Sequence, residues 1–224
     1  MSHAVAWETF LPERSQTLAY GRKPLASLVL WAEGKDAEEI SVPVAVARSL
    51  DHRRKRGELN DVTRKELLDT ISELQRECAK DCMLGLLERR DMSTGEVTDR
   101  LTRKGYPRFA REHAIEVGKR CALLDDEHFA ERFAHSKSLT GWGIHRIEAE
   151  LRNRGIDVSN YAGWPEDFLD VDGEYDRALA VASRKHVREP NARAKMARFL
   201  VGRGFSTGIA IRAAEEALAP ATEE

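Results

Sequence analysis

Between Leu123 and Ile156 the apolar positions keep a helical spacing that is broken once and stopped once. Phe129 and Phe133 lie one turn apart and so share a helix face. After Gly141-Trp142-Gly143, Ile144, Ile147 and Leu151 take up the same spacing. Asp125 is placed to cap the first helix by accepting a backbone N–H, with Leu124 closing over Phe129 as a hydrophobic staple. Arg154-Gly155 ends the second helix with a cation at its negative terminus and a residue that tolerates positive φ. The spacing predicts helix, tight turn, helix, glycine stop.

The unit recurs. Lys104-Gly105-Tyr106, Arg154-Gly155-Ile156 and Arg203-Gly204-Phe205 are matching stops. Four residues before each glycine stand Leu101, Leu151 and Leu200, and four before those stand Val97, Ile147 and Met196. Stops about 50 residues apart fit tandem structural repeats. In the first unit, helices are predicted near 77–90, 93–104 and 108–121. Ser93 and Glu96 form its capping box, and Met92 its staple against Val97. The alignment puts Trp142 at the place of Met92 and Gly143 at that of Ser93, which makes Trp142 a staple against Ile147 rather than a platform for a base. The third unit runs from about Glu174, through a break at Glu189-Pro190-Asn191, to a last helix near 206–218. Gly163 and Pro165 fall where the second unit should have its third helix, so that helix is expected to be short or kinked.

Ahead of the repeats the period changes. Ser27–Trp31 and Ile40–Val42 are short β-rich runs around a polar segment with Gly34, which predicts a hairpin. Pro43 suits a first helical position, with Val44, Val46, Ala47 and Leu50 following. The basic run His52–Arg56 reads as a solvated loop closed by Gly57, and Asp61 as the N-cap of a helix bearing Leu67, Leu68, Ile71 and Leu74. Residues 1–24 are expected to be loose. The organisation predicted is mainly α: a flexible N-terminus (1–25), an extension of β-hairpin plus helices (26–76), three three-helix repeats (77–122, 123–172, 173–219) forming an elongated, curved body, and a tail (220–224).

Composition narrows the function classes. The 224 residues are 33% charged yet carry a net charge of −2, which argues against binding nucleic acid by bulk electrostatics. No apolar run spans a bilayer, and the N-terminus lacks the pattern of a secretion signal. Cys78, Cys82 and Cys121 fit reduced thiols in a cytoplasm, with the first two as small buried groups. Asp125, Asp126 and Glu127 read as helix-start acids, and His113, His128, His135 and His145 lack metal-ligand spacing. Neither a nucleophile with a base nor a phosphate loop is legible, so no active site, cofactor or metal is expected. Asp125, Phe129, Phe133, Gly143, Ile147, Leu151 and Gly155 are read as structural. The remaining candidates are surface cations beside the stops: Arg103 and Lys104 in the first unit, and Lys137, Arg146, Arg152 and Arg154 in the second.

LLDDEHFAERF followed by Gly-Trp-Gly, Ile147–Leu151 and Arg154-Gly155-Ile156 resembles the RecX family of bacterial recombination regulators. The segment LLERRDMSTGEVTDRLTRKGY resembles that family's first repeat and Ala197–Phe205 its third, while residues 26–75 are more weakly similar to the extension of longer members. The resemblance implies a non-enzymatic protein that binds the RecA recombinase in the groove of its filament on single-stranded DNA, and a monomer with weak direct DNA contact is expected beside it. It would limit ATPase, strand exchange and SOS co-protease activity. Direct contact with DNA in the helix-turn-helix manner, without RecA, is the alternative that the short helix pairs and the Arg53–Arg56 run leave open.

Overall fold

Along β2 (Ala26–Trp31), buried Ala26, Leu28 and Leu30 alternate with half-buried Ser27 and Val29. In the computed structural model, which describes residues 4–13, 21–31, 36–187 and 190–219, this strand is the centre of a three-stranded antiparallel sheet. On one side β3 (Glu38–Val42) completes the expected hairpin, although its turn, with Gly34, lies outside the described residues. On the other lies β1 (Ala6–Phe10), where the sequence reading expected loose backbone. That strand anchors itself by burying Trp7 opposite Leu30, and Val5 donates a 2.9 Å hydrogen bond to the Val62 carbonyl. Trp7 and Phe10 stand three residues apart, which does not keep a period of two, so the run carried no clear strand signal.

Three further corrections concern helix ends. Pro43 is the N-cap of α1 (Val44–Lys55), one place earlier than expected. The basic run forms that helix's last turn instead of a loop, where its charges complement the negative terminus. There Arg54 lies 5.2 Å over the Trp7 ring and donates to the Trp7 carbonyl at 3.2 Å. Asp61 has φ +55 and caps nothing. The capping box belongs instead to Thr63 and Glu66 at the start of α2 (Arg64–Leu87). This 24-residue helix runs without a break through the expected boundary at 76/77, so the extension and the first repeat share one helix. It packs mainly on α4 (Arg108–Arg120), with α3 (Thr94–Arg103) between them in sequence. The Ser93–Glu96 box starts α3 as predicted, and Met92 and Val97 are buried in the same core. Cys78 and Cys82 only border this core, and Leu124 belongs to it, near Gly118 and Met83, rather than to the Phe129 staple.

The chain divides after Leu124 into two compact units. In the second, α5 (Asp126–Leu139) and α6 (Ile144–Asn153) form the predicted pair, with Asp125 accepting from the His128 amide at 3.0 Å. Ala130, Ala134, Ile147 and Leu151 are fully buried, whereas Phe129 and Phe133 are half-buried at the margin of that core. Each fully buried Leu or Ile contributes about 1.5–3 kcal/mol. No α-helix follows. Pro165 restricts Trp164, and Gly163 has φ +78, so Val158–Asn160 makes one 3₁₀ turn and the chain then folds through turns. Tyr161, Trp164 and Phe168 do the covering instead, with Trp164 and Phe168 rings 5.1 Å apart. Helices α7 (Glu174–Ser183), α8 (Ala192–Gly202) and α9 (Thr207–Ala217) enclose Ala178, Met196, Leu200, Phe205 and Ala213. In the break before α8, Glu189 lies outside the described residues, as does the tail from residue 220, and Asn191 has φ +66.

The three stops have one geometry. The amides of Tyr106, Ile156 and Phe205 donate to the carbonyls of Leu101, Leu151 and Leu200 at 3.1, 3.0 and 3.2 Å. Those of Gly105, Gly155 and Gly204 reach the carbonyls of Thr102, Arg152 and Val201, each at 2.9 Å. This paired pattern is a Schellman motif, and the glycines supply its left-handed residue with φ +83, +80 and +94.

Candidate interaction surface

Helix α6 begins without a cap of its own, because Gly143 at the N-cap has no side chain. Its first amides find acceptors further along the chain. Gly143 donates to the Arg203 carbonyl at 2.9 Å, Ile144 to Glu174 Oε1 at 3.0 Å and His145 to the Gly204 carbonyl at 3.1 Å. Glu174 is buried to do this, and its negative charge suits the positive helix start. Glycine is required on both sides of the contact. A Cβ at Gly143 would stand 2.3 Å from the Gly204 carbonyl, and one at Gly204 would stand 2.3 Å from Arg146 Cβ. The third repeat's stop therefore seats the start of the second repeat's second helix.

On this fixed base, three of the six candidate cations converge. Arg146 lies 3.9 Å over the Trp142 ring, and Lys137 lies 5.2 Å from the same ring and 5.4 Å from that of Phe133. Arg154 lies 4.9 Å over Phe133 and pairs with Glu150 at 2.9 Å, and it is half-buried. Phe133 and Trp142 meet edge to face at 6.4 Å. Trp142 packs against the core containing Ile147, in keeping with a staple, but its outer part holds cations. Contacts of this kind are worth about 0.5–1 kcal/mol at exposed sites. Arg152 is not in the cluster. It is exposed at the end of α6, and its charge helps hold the Asp157 carboxyl below the usual range, an effect led by the Ser159 hydrogen bonds.

Arg103 and Lys104 belong to the other unit and have other partners. Arg103 pairs with Asp99 at 2.8 Å, and its carbonyl accepts from the Lys23 amide at 2.8 Å. Lys104 Nζ donates to Cys82 Sγ at 3.1 Å. Beside it Tyr106 donates to the Cys78 carbonyl at 3.1 Å, and burial pushes its phenol well above the ordinary range. Among the described residues, no group of three or more His, Cys, Asp or Glu is placed to hold a metal ion.

Sequence reasoning missed a second cluster of the same kind. Lys185 and Arg203 lie 5.1 and 5.3 Å over the Phe199 ring. Arg203 holds the place in the third stop that Arg154 holds in the second, so the repeat register could have pointed to it. Glu174 left no such signal, because its partner amides are remote in sequence.

Comparison with known proteins agrees with the repeat reading. Residues 79–116 match the family model described as "RecX, first three-helix domain", and residues 125–160 match "RecX, second three-helix domain". The chain is 32% identical over 146 residues to the "Regulatory protein RecX" of Mycolicibacterium smegmatis, covering 61% of this chain and 77% of that one. It is 34% identical over 135 residues to the protein of the same name from Chromohalobacter salexigens, covering 58% and 87%. In structure it resembles a chain described as "Crystal structure of regulatory protein RecX", with a TM-score of 0.57 at 20% identity over 82% of this chain and 92% of the other. At that identity the likeness speaks for the fold.

Proposed function

The chain belongs to the RecX family of regulatory proteins, and from that premise we propose that it acts without catalysis, by binding the RecA recombinase. The contact is made in the groove of the RecA–single-stranded DNA filament, and it lowers RecA's ATPase, strand-exchange and co-protease activities. The observation that carries the assignment of a face is the cluster of Lys137, Arg146 and Arg154 on Phe133 and Trp142. Aromatic faces hold these long side chains, which reduces the entropy lost when they meet a partner.

The test is a titration of the full chain against RecA's DNA-dependent ATPase and filament length. Wild type inhibits and shortens. Lys137→Glu with Arg146→Glu and Arg152→Glu weakens inhibition by roughly tenfold or more while far-UV circular dichroism stays the same. Arg154 is left unchanged because its pairing with Glu150 and its seat on Phe133 make it part of the framework. Unchanged ATPase across a wide range of wild-type protein would remove RecA as the partner. Full inhibition by the triple variant would move the contact to another face. Tight, salt-sensitive DNA binding without RecA would favour the helix-turn-helix alternative.

A further inference from the structure

The two cation–aromatic clusters of the second unit are joined. Arg203 receives the Gly143 amide on its own carbonyl, and Gly204 packs against Arg146 Cβ, so the backbone carrying one cluster touches the backbone carrying the other. The cluster of Lys137, Trp142 and Arg146 and that of Lys185, Phe199 and Arg203 thus stand on adjoining segments. Two other cations of this unit pair with acids, Arg154 with Glu150 at 2.9 Å and Arg177 with Asp170 at 3.7 Å. Lys137, Arg146, Lys185 and Arg203 have no carboxylate within ion-pair distance among the described residues, and each rests on a ring instead.

We propose that this joined strip is a docking surface for an acidic peptide segment of a protein partner, read through spaced carboxylates. Three observations select that occupant. Arg146 is exposed and its guanidinium lies 3.9 Å from the indole centroid, so the ring holds a fork of N–H donors suited to a two-pronged carboxylate bond. Cations already rest on Phe133, Trp142 and Phe199, so a nucleobase would have to displace one to take its place on the ring. The chain as a whole carries −2, which gives phosphate backbones little long-range attraction. The inference narrows the contact of the proposed function and rests on it only for which protein bears the acids.

The experiment uses the full chain with two probes at equal salt, a 20-residue oligo-glutamate and a 20-nucleotide oligo-thymidylate, each labelled for fluorescence anisotropy. Wild type binds oligo-glutamate more tightly than oligo-thymidylate. Lys185→Glu with Arg203→Glu weakens oligo-glutamate binding about tenfold or more, as expected for lost charge-assisted hydrogen bonds. Arg203→Lys keeps the charge but loses the fork, and weakens it less. A preference for oligo-thymidylate, or oligo-glutamate binding that ignores the charge reversals, overturns the proposal. RecA inhibition in the same preparations separates the two readings. Inhibition without oligo-glutamate binding defeats the acidic-peptide inference alone, and oligo-glutamate binding without inhibition defeats the RecA assignment alone.

Discussion

Local helix rules and the observed packing make opposite forecasts for Gly143→Ser. Serine is a preferred N-cap, and Ser93 holds the aligned position in the first repeat with φ −72 and ψ 160. Gly143 has nearly the same backbone, φ −83 and ψ 163, so serine would fit without torsional strain and should gain a few tenths of a kcal/mol as a cap. Its Cβ, however, would stand 2.3 Å from the carbonyl carbon and oxygen of Gly204 and from the Phe205 nitrogen, all backbone atoms with no rotamer to change. Separating the two segments breaks the hydrogen bonds of 2.9 and 3.1 Å to the Arg203 and Gly204 carbonyls. At about 1 kcal/mol for each bond and about 1–3 kcal/mol for overpacking, the net cost is roughly 2–4 kcal/mol. Urea denaturation followed by circular dichroism measures it, and amide exchange at His145 locates it. Gly208→Ala in α9, where a Cβ meets nothing within 4 Å, is the control and should gain about 0.5–1 kcal/mol. A Gly143→Ser protein as stable as wild type, with His145 still protected, would refute the backbone contact.

Two further expectations follow from burial and titration. Ile147→Ala removes a side chain with 0% exposure and should cost about 2–5 kcal/mol. Phe129→Ala, half-buried beside Phe133, should cost roughly 1–2 kcal/mol by thermal or urea unfolding, and equal losses would put both in the core. Glu66 is held below its ordinary pKa by the Thr63 backbone and side-chain hydrogen bonds. A lowered carboxyl contributes stability that is present above its unfolded pKa and lost as pH falls through the lower folded value. Thr63→Ala should therefore flatten the acid limb of stability measured by circular dichroism against pH, and an unchanged limb would discount the box.

The sequence was most informative where one residue type must recur in one geometry. The stops were legible because a left-handed residue, a leucine three places ahead of the cap and a buried apolar residue after it all repeat, at Leu101–Tyr106, Leu151–Ile156 and Leu200–Phe205. The Ser93 box was legible for the same reason. The first strand was not, since Ala6–Phe10 is fixed by pairing with β2 rather than by its own pattern. Asp61 was a sound cap by residue type, yet Thr63 offered both halves of a box and prevailed. The one-turn spacing of Phe129 and Phe133 suggests a shared buried face, yet both are half-buried. The alanines beside them let the helices approach closely and left the rings at the edge, where cations rest on Phe133. Of the candidate surface, the charges could be listed from sequence, but their gathering around two rings depends on the turn at Gly141–Gly143 and on Gly204 beyond it.

The borrowed cap of α6 also sets an order of events. During synthesis the chain emerges from its N-terminus, and residues 125–160 leave the ribosome before Glu174, which lies 30 residues beyond the amide it accepts from. Arg203 and Gly204 come later still. Until then the opening amides of that helix can bond only to water, and Arg146 and Trp142 have no fixed seat against the third repeat. A nascent or truncated chain that stops after the second repeat holds all of that repeat's sequence without its finished form. The last repeat to be made completes the middle one.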